Sequence, residues 1–258
     1  MDNRYFALIT GASGGIGKEF AEIFASKGNN LILVARNNEK LEEISTAFRQ
    51  KYKVEVIVIA KDLSDPRSSA ELYAEVKDKN VEYLVNNAGF GEYGMFHKTD
   101  LTRELEMINL NISALTALTK YFVKDMVLRG HGKILNVGST GSFVSGPTMA
   151  VYCATKNYVL AFSEALSVEL EGTGVTVTCL CPGPTTSGFQ KASGSDNSKL
   201  FNGKKLPSST EVAKFGYDAM MKGKMTVIHG LINSLEIFSG RFSSRKMAAK
   251  IARYKMRE

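Results

Sequence analysis

Short apolar runs alternate along the chain with longer stretches of helical periodicity. The runs at 5–9, 31–35, 54–59, 83–86, 133–137, 175–181 and 225–229 are rich in β-branched residues and bounded by turn residues, which predicts seven strands. Several are apolar at every position rather than at every second one, the pattern of strands covered on both faces in a parallel sheet. Between them, 15–27, 37–51, 66–79, 102–129, 150–171 and 209–222 carry helical spacing. Strand and helix in strict alternation predict a doubly wound α/β (Rossmann) fold: one domain over 1–240, with a seven-stranded, mostly parallel sheet flanked by helices.

Two segments break the rhythm. Residues 184–207 are rich in Gly, Ser, Asn and Lys and follow a strand end, where ligands bind in such sheets. This stretch reads as a lid over a site, the alternative being a long surface loop. The chain end at 243–257 is helical in pattern, with Met247, Ala248, Ile251 and Tyr254 on one face and Arg245, Lys246, Lys250, Arg253 and Arg257 on the other.

Charge sharpens that second segment. The 258 residues carry 33 Lys+Arg and 26 Asp+Glu, a net +7, but residues 241–258 alone hold seven basic side chains and one acidic. The preceding 240 residues are therefore almost neutral. The basic amphipathic C-terminal helix at 241–258 reads either as a docked helix with a solvated basic face or as a contact for anionic lipid or an acyl carrier. Nucleic-acid binding lacks a basic patch with interleaved aromatics on the body. Cys153, Cys179 and Cys181 cannot form a disulfide framework; 179 and 181 alternate within a strand and should share a face. With His97, His131 and His229 scattered, no metal site is expected. No signal peptide fits ahead of the first strand, and no apolar run approaches the ~20 residues of a membrane helix. The chain reads as cytoplasmic.

Candidate chemistry begins at the first strand–helix junction. Residues 10–17 place Gly11, Ser13, Gly15, Ile16 and Gly17 in a tight loop ahead of a helix, whose free amides and positive dipole end suit a pyrophosphate. Nineteen residues past Gly17, at the end of the second strand, stands Arg36. A guanidinium cannot accept a hydrogen bond from a ribose hydroxyl but pairs well with a phosphate, which points to NADP(H) rather than NAD(H). Tyr152 and Lys156 are spaced i, i+4 and share one face of a helix. A neighbouring cation favours phenolate; moving a phenol from about 10 to about 7 takes roughly 4 kcal/mol, which the lysine and an oxidised nicotinamide ring would share. Ser139, thirteen residues before Tyr152, lies just past the end of a strand, where a hydroxyl can hold a carbonyl next to the phenol.

In order and spacing, the 10–17 loop, Asn86 to Gly89, Ser139, Tyr152 with Lys156, and Pro182-Gly183 resemble the short-chain dehydrogenase/reductase family, in its NADP(H)-preferring carbonyl reductase type, over about residues 4–230. The resemblance implies that Tyr152 donates the proton in carbonyl reduction, Lys156 tunes it and holds the nicotinamide ribose, Ser139 orients the carbonyl, and Asn111 rather than Asn109 links the lysine to a water relay. It implies that Asp62 and Leu63 flank the adenine, that Asn87, Ala88 and Gly89 line the adenosine side, and that Pro182, Gly183, Thr185 and Ser187 close around the nicotinamide. It implies a homodimer or homotetramer through 102–129 and 150–171. Phe90, Tyr93, Met95, Phe96, Phe143, Val144, Met149 and Phe189, near the expected crevice, favour an apolar substrate that is lipid-, steroid- or 3-oxoacyl-like, the alternative being ordinary packing under a lid. A non-catalytic NADP(H)-binding regulatory or scaffold protein of the same fold is the alternative.

Overall fold

The first strand, β1 (Phe6–Thr10), explains why the apolar runs are continuous. Phe6 and Leu8 enter one core cluster and Ala7 and Ile9 the other, one on each face of the sheet. In β2 (Asn30–Ala35), Ile32 and Val34 point one way and Leu31 and Leu33 the other. Period-two alternation is intact, but both faces are dry. The structure, a computed structural model, describes residues 5–195, Ser198 and 206–256.

The remaining strands are β3 (Val56–Ala60), β4 (Val81–Asn86), β5 (Gly132–Val137), β6 (Val175–Cys181) and β7 (Thr226–Ile228). They form one sheet in the order β3-β2-β1-β4-β5-β6-β7, with every pairing parallel. The strand order reverses between β1 and β4, so the C-terminal ends of these two strands open a crevice.

On one face lie α1 (Gly15–Ser26), α2 (Asn38–Tyr52) and α8 (Ser209–Met221), which bury Phe20, Phe24, Leu41 and Val212. On the other lie α3 (Ser68–Val76) and α5 (Leu115–Arg129), which bury Leu72, Leu118 and Phe122. Each large side chain so buried contributes about 1.5–3 kcal/mol. The stretch expected as one helix over 102–129 is instead α4 (Leu101–Ile108), a π-helical turn at Asn109–Ala114, and α5. α6 (Ala150–Glu169) packs beside it through Val159 against Cys179 and Cys181, whose sulfurs are 3.7 Å apart on the shared face expected of them. All three cysteines are free and buried.

The stretch expected as a lid contains α7 (Phe189–Ser193), and a parallel bridge joins Thr186 near its start to Ser208 just past its end. The rest of that expectation, at 196–197 and 199–205, lies outside the described residues. After β7 come α9 (Leu231–Gly240), which the apolar pattern did not predict, and α10 (Arg245–Met256). The expected apolar face of α10 is not the docked one: Met247, Ile251 and Tyr254 are exposed, whereas Ala252 and Met256 are buried. Met256 is held there by its cluster with Met149 and Cys153 and by Tyr93, and that decides which stripe is covered.

Candidate active site

The crevice is a cavity of about 580 Å³ running from the glycine loop to the last turn of α10. Its floor is stitched across the strand-order reversal. Thr10 Oγ1 accepts the amides of Asn87 and Ala88, each at 3.0 Å, and Asn87 Nδ2 donates to the Thr10 carbonyl at 2.9 Å. Gly17 is tight for the same reason: a Cβ there would sit 2.4 Å from the Gly11 carbonyl oxygen and 2.5 Å from Asn87 Nδ2. Gly15 has φ +54°, which glycine adopts without strain.

Helix α1 starts after Gly14, with no side chain capping its first turn and no acidic residue in it. Its leading amides have no intrahelical acceptor, and Ser13, Gly14, Gly15 and Ile16 line the cavity. A donor cradle with close backbone approach fits a dinucleotide pyrophosphate. Beyond it, Arg36 directly follows β2, with a 76 % exposed side chain 3.9 Å from Asp62 Oδ2. Lys40, in the first turn of α2, lines the cavity on the same side. Sequence reasoning missed it; its signal is a position one helical turn past the Asn37 N-cap.

Ser13, Gly11, Gly15, Ile16, Asn87, Ala88, Gly89, Pro182, Gly183, Thr185 and Ser187 all border this one cavity, as do Ser139, Tyr152 and Lys156. Gly17, Arg36, Asp62, Leu63 and Asn111 do not. Asp62 accepts from the amide and hydroxyl of Ser64, and the Leu63 side chain is buried in the core, so the residue can offer only backbone to an adenine. Asn111 is 1 % exposed in the π-helical turn. Its Nδ2 donates to the Phe90 carbonyl and to Thr155 Oγ1, both at 3.0 Å, and its Oδ1 accepts the Phe90 amide. Asn111 thus ties the turn to α6 behind the catalytic face.

Ser139 caps the turn after β5: its hydroxyl accepts the Gly141 amide at 3.0 Å, and the Ser142 hydroxyl accepts the Ser139 amide at 3.1 Å. The same hydroxyl lies near enough to the Tyr152 phenol to act on its acidity. Lys156, 6 % exposed, donates to the Val137 carbonyl at 2.8 Å, and its Nζ lies 6.0 Å from the centre of the Tyr152 ring. Burial lowers the ammonium to about 8. Burial raises the Tyr152 phenol above its ordinary value, and the neighbouring Ser139 hydroxyl opposes this. The sequence expectation of a lowered phenol is therefore not met by the protein alone: Lys156 is turned to a backbone carbonyl, and desolvation dominates.

The far end of the cavity is apolar. Met149 and Phe189, expected near the crevice, line it, and Met256, which the sequence did not single out, joins them. Tyr93 and Val144 pack against the same cluster, whereas Met95 and Phe96 are exposed. The Tyr93 hydroxyl donates to the Met256 carbonyl at 2.8 Å and fixes the end of α10 there. Among the described residues, no group of three or more His, Cys, Asp or Glu could hold a metal ion.

The family model for short chain dehydrogenases matches residues 5–198. The human very-long-chain 3-oxoacyl-CoA reductase is 34 % identical over 185 residues, covering 69 % of this chain and 58 % of that protein. The human inactive hydroxysteroid dehydrogenase-like protein 1 is 37 % identical over 184 residues, covering 69 % and 54 %. The chain thus spans little more than half the length of the curated relatives it matches. A solved short-chain dehydrogenase from Sphingobium yanoikuyae, in complex with NADPH, superposes with a TM-score of 0.84 at 29 % identity, covering 92 % of this chain and 93 % of that one.

Proposed function

Because the chain belongs to the short-chain dehydrogenase family, we propose that it is an NADP(H)-dependent reductase converting an apolar ketone or aldehyde to the alcohol, with Tyr152 as proton donor. The observation that carries this reading is one cavity wall that brings Ser139, Tyr152 and Lys156 together, continuous with the glycine cradle. Bound NADP(H) supplies the hydride. The cradle at Ser13 to Gly17 takes the pyrophosphate, and Arg36, with Lys40 beside it, takes the 2′-phosphate. The NADPH in the solved relative supports that choice.

The protein's own part is positioning and proton movement. The Ser139 hydroxyl hydrogen-bonds the substrate carbonyl oxygen and holds it beside the phenol. The raised pKa keeps Tyr152 protonated at neutral pH, the state a donor needs. As the proton leaves, negative charge develops on the phenol oxygen. The Lys156 ammonium, still charged below about pH 8, stabilises it across the cavity wall. Asn111 positions α6 from behind.

Met149, Phe189 and Met256 at the far end favour an apolar substrate, in keeping with the name of the human 3-oxoacyl-CoA reductase. Leu101, Leu105 and Leu128, exposed on α4 and α5, and Val168 on α6 support assembly as a homodimer or homotetramer through those helices. Among the described residues no helix is long and apolar enough to cross a membrane; with three free cysteines, we read the compartment as cytoplasmic. The relative named inactive gives substance to the alternative of a non-catalytic NADP(H)-binding protein; the presence here of Asn111, Ser139, Tyr152 and Lys156 together weighs against it.

The test is cofactor titration followed by NADPH oxidation with 3-oxoacyl thioesters of rising chain length, steroid ketones and small soluble ketones. NADPH should bind at least about tenfold tighter than NADH, about 1.4 kcal/mol, and turnover should favour the larger apolar ketones. Equal affinities would remove the role of Arg36. NADPH binding without turnover on any ketone would favour the non-catalytic reading.

A further inference from the structure

Eight of the nineteen large apolar side chains left exposed among the described residues fall within the 24 positions from Leu231 to Tyr254. Helix α9 buries no residue. Its Leu231, Leu235 and Phe238, with Phe242 just beyond its end, recur at helical spacing on one face and are 57–81 % exposed. The Phe238 and Phe242 rings stack edge to face, 5.5 Å apart, so the stripe is ordered along its length. Helix α10 exposes Met247 and Ile251, one turn apart. A surface of this kind marks a contact site.

Its charge selects the partner. Residues 231–256 hold six basic side chains and one acidic. The acidic one, Glu236, is 2.8 Å from Lys255 and ties α10 to α9. Arg241, Arg245, Lys246, Lys250 and Arg253 have no acidic partner among the described residues. A second copy of the chain meeting this patch across a two-fold axis would set positive charge against positive charge. Nucleic acid would leave the aliphatic stripe uncovered. Exposed apolar side chains among cations are the composition of a segment lying on an anionic lipid surface.

We propose that α9 and α10 form an interfacial dock for an anionic lipid bilayer, with the apolar stripe entering the headgroup region and the five free cations facing lipid phosphates and carboxylates. The dock is built onto the site. The last turn of α10 ends at Met256, on the cavity wall, where Tyr93 holds its carbonyl. An apolar substrate dissolved in the bilayer therefore has its entrance beside the docked helix, a clause that rests on the proposed function; the docking itself does not.

The experiment is co-sedimentation of the full chain with phosphatidylcholine vesicles, with and without roughly one-third phosphatidylserine. Binding to the anionic vesicles should exceed binding to the neutral ones by about tenfold or more and weaken at high salt. Arg245→Glu/Lys246→Glu/Lys250→Glu and, separately, Leu235→Ser/Phe238→Ser should each abolish it while leaving NADPH binding and turnover of a small soluble ketone unchanged. Protein remaining in the supernatant with both vesicles would overturn the proposal. So would salt-independent binding, or oligomers that the stripe variant dissolves without any vesicle binding. Sedimentation needs no turnover, so an inactive protein that binds vesicles would sink the proposed function and leave the dock standing. Should one variant fail to fold, the other variant and the salt dependence of the unaltered protein still decide.

Discussion

Tyr152 and Met256 border the same cavity but are held there differently. The polar groups around Tyr152 are each fixed from behind. Lys156 is anchored on β5 through Val137, Asn111 bridges the π-helical turn to α6, and Ser139 caps its own turn. These partners come from the sheet and from helices packed on it, so the geometry is set when the core forms. Met256 is the last described residue of a helix that buries only itself and Ala252. It reaches the cavity through a short apolar cluster and one hydrogen bond from Tyr93. A proton relay tolerates little displacement, whereas a wall that sorts substrates by size needs only to be present. The first region should respond to substitution through turnover and the second through substrate preference.

Tyr152→Phe should give the largest effect. It removes the only proton from the phenol position and leaves the ring packing against Phe189 intact. We expect kcat to fall by roughly 10²–10⁴-fold, the usual weight of a general acid, with NADPH affinity unchanged by titration. A variant with near-normal turnover would dissolve the contrast between the two ends of the cavity.

Lys156→Met tests whether the catalytic end is tuned at the expense of stability. A lysine lowered from 10.5 to about 8 by burial binds fewer protons than the unfolded chain between those values. Stability therefore rises with pH across that window, and below it the buried charge costs on the order of 3 kcal/mol. The variant should lose turnover and yet unfold at higher denaturant at pH 7, its advantage shrinking as pH approaches 10. Loss of the bond to the Val137 carbonyl offsets part of the gain. In the unaltered protein, turnover should decline above about pH 8 as the ammonium discharges. A variant less stable at pH 7 would mean that the hydrogen bond outweighs desolvation.

The two regions also differ in how far the residues announce them. The strands and the glycine loop were legible because parallel strands must be apolar on both sides and because the loop's chemistry leaves few choices of residue. The candidate site residues were legible as a spaced set, and of the two asparagines it is Asn111 that is buried and bonded to Thr155 on α6. The break in the long helix was not: the segment 109–114 has no proline or glycine to mark it. Nor was the fate of Lys156, since an i, i+4 pairing says that two side chains share a face, not that one will find a carbonyl instead. At the chain end the pattern showed one apolar face, at Met247, Ala248, Ile251 and Tyr254, opposite a basic one. The structure instead covers Ala252 and Met256, and the partners that hold Met256, the Met149/Cys153 cluster and Tyr93, lie far away in sequence, so no local periodicity announces them.

Met256→Ala and a chain ending at Gly240 sharpen the comparison with the smallest effects. Truncating Met256 removes apolar contact from one end of the cavity and touches nothing in the cradle, whose wall is built from β1, α1 and β4. We expect KM for a long-chain or steroid ketone to rise by about tenfold, as for the loss of a small apolar contact, with kcat on a small ketone unchanged. Ending the chain at Gly240 removes α10 and its cations together. If the 2′-phosphate is met by Arg36 and Lys40 rather than by bulk charge, NADPH affinity should stay within about threefold, less than 1 kcal/mol. A tenfold loss in a protein that still melts cooperatively would show that the terminal helix supports the cofactor half as well, and the division of labour between the two ends of the cavity would have to be redrawn.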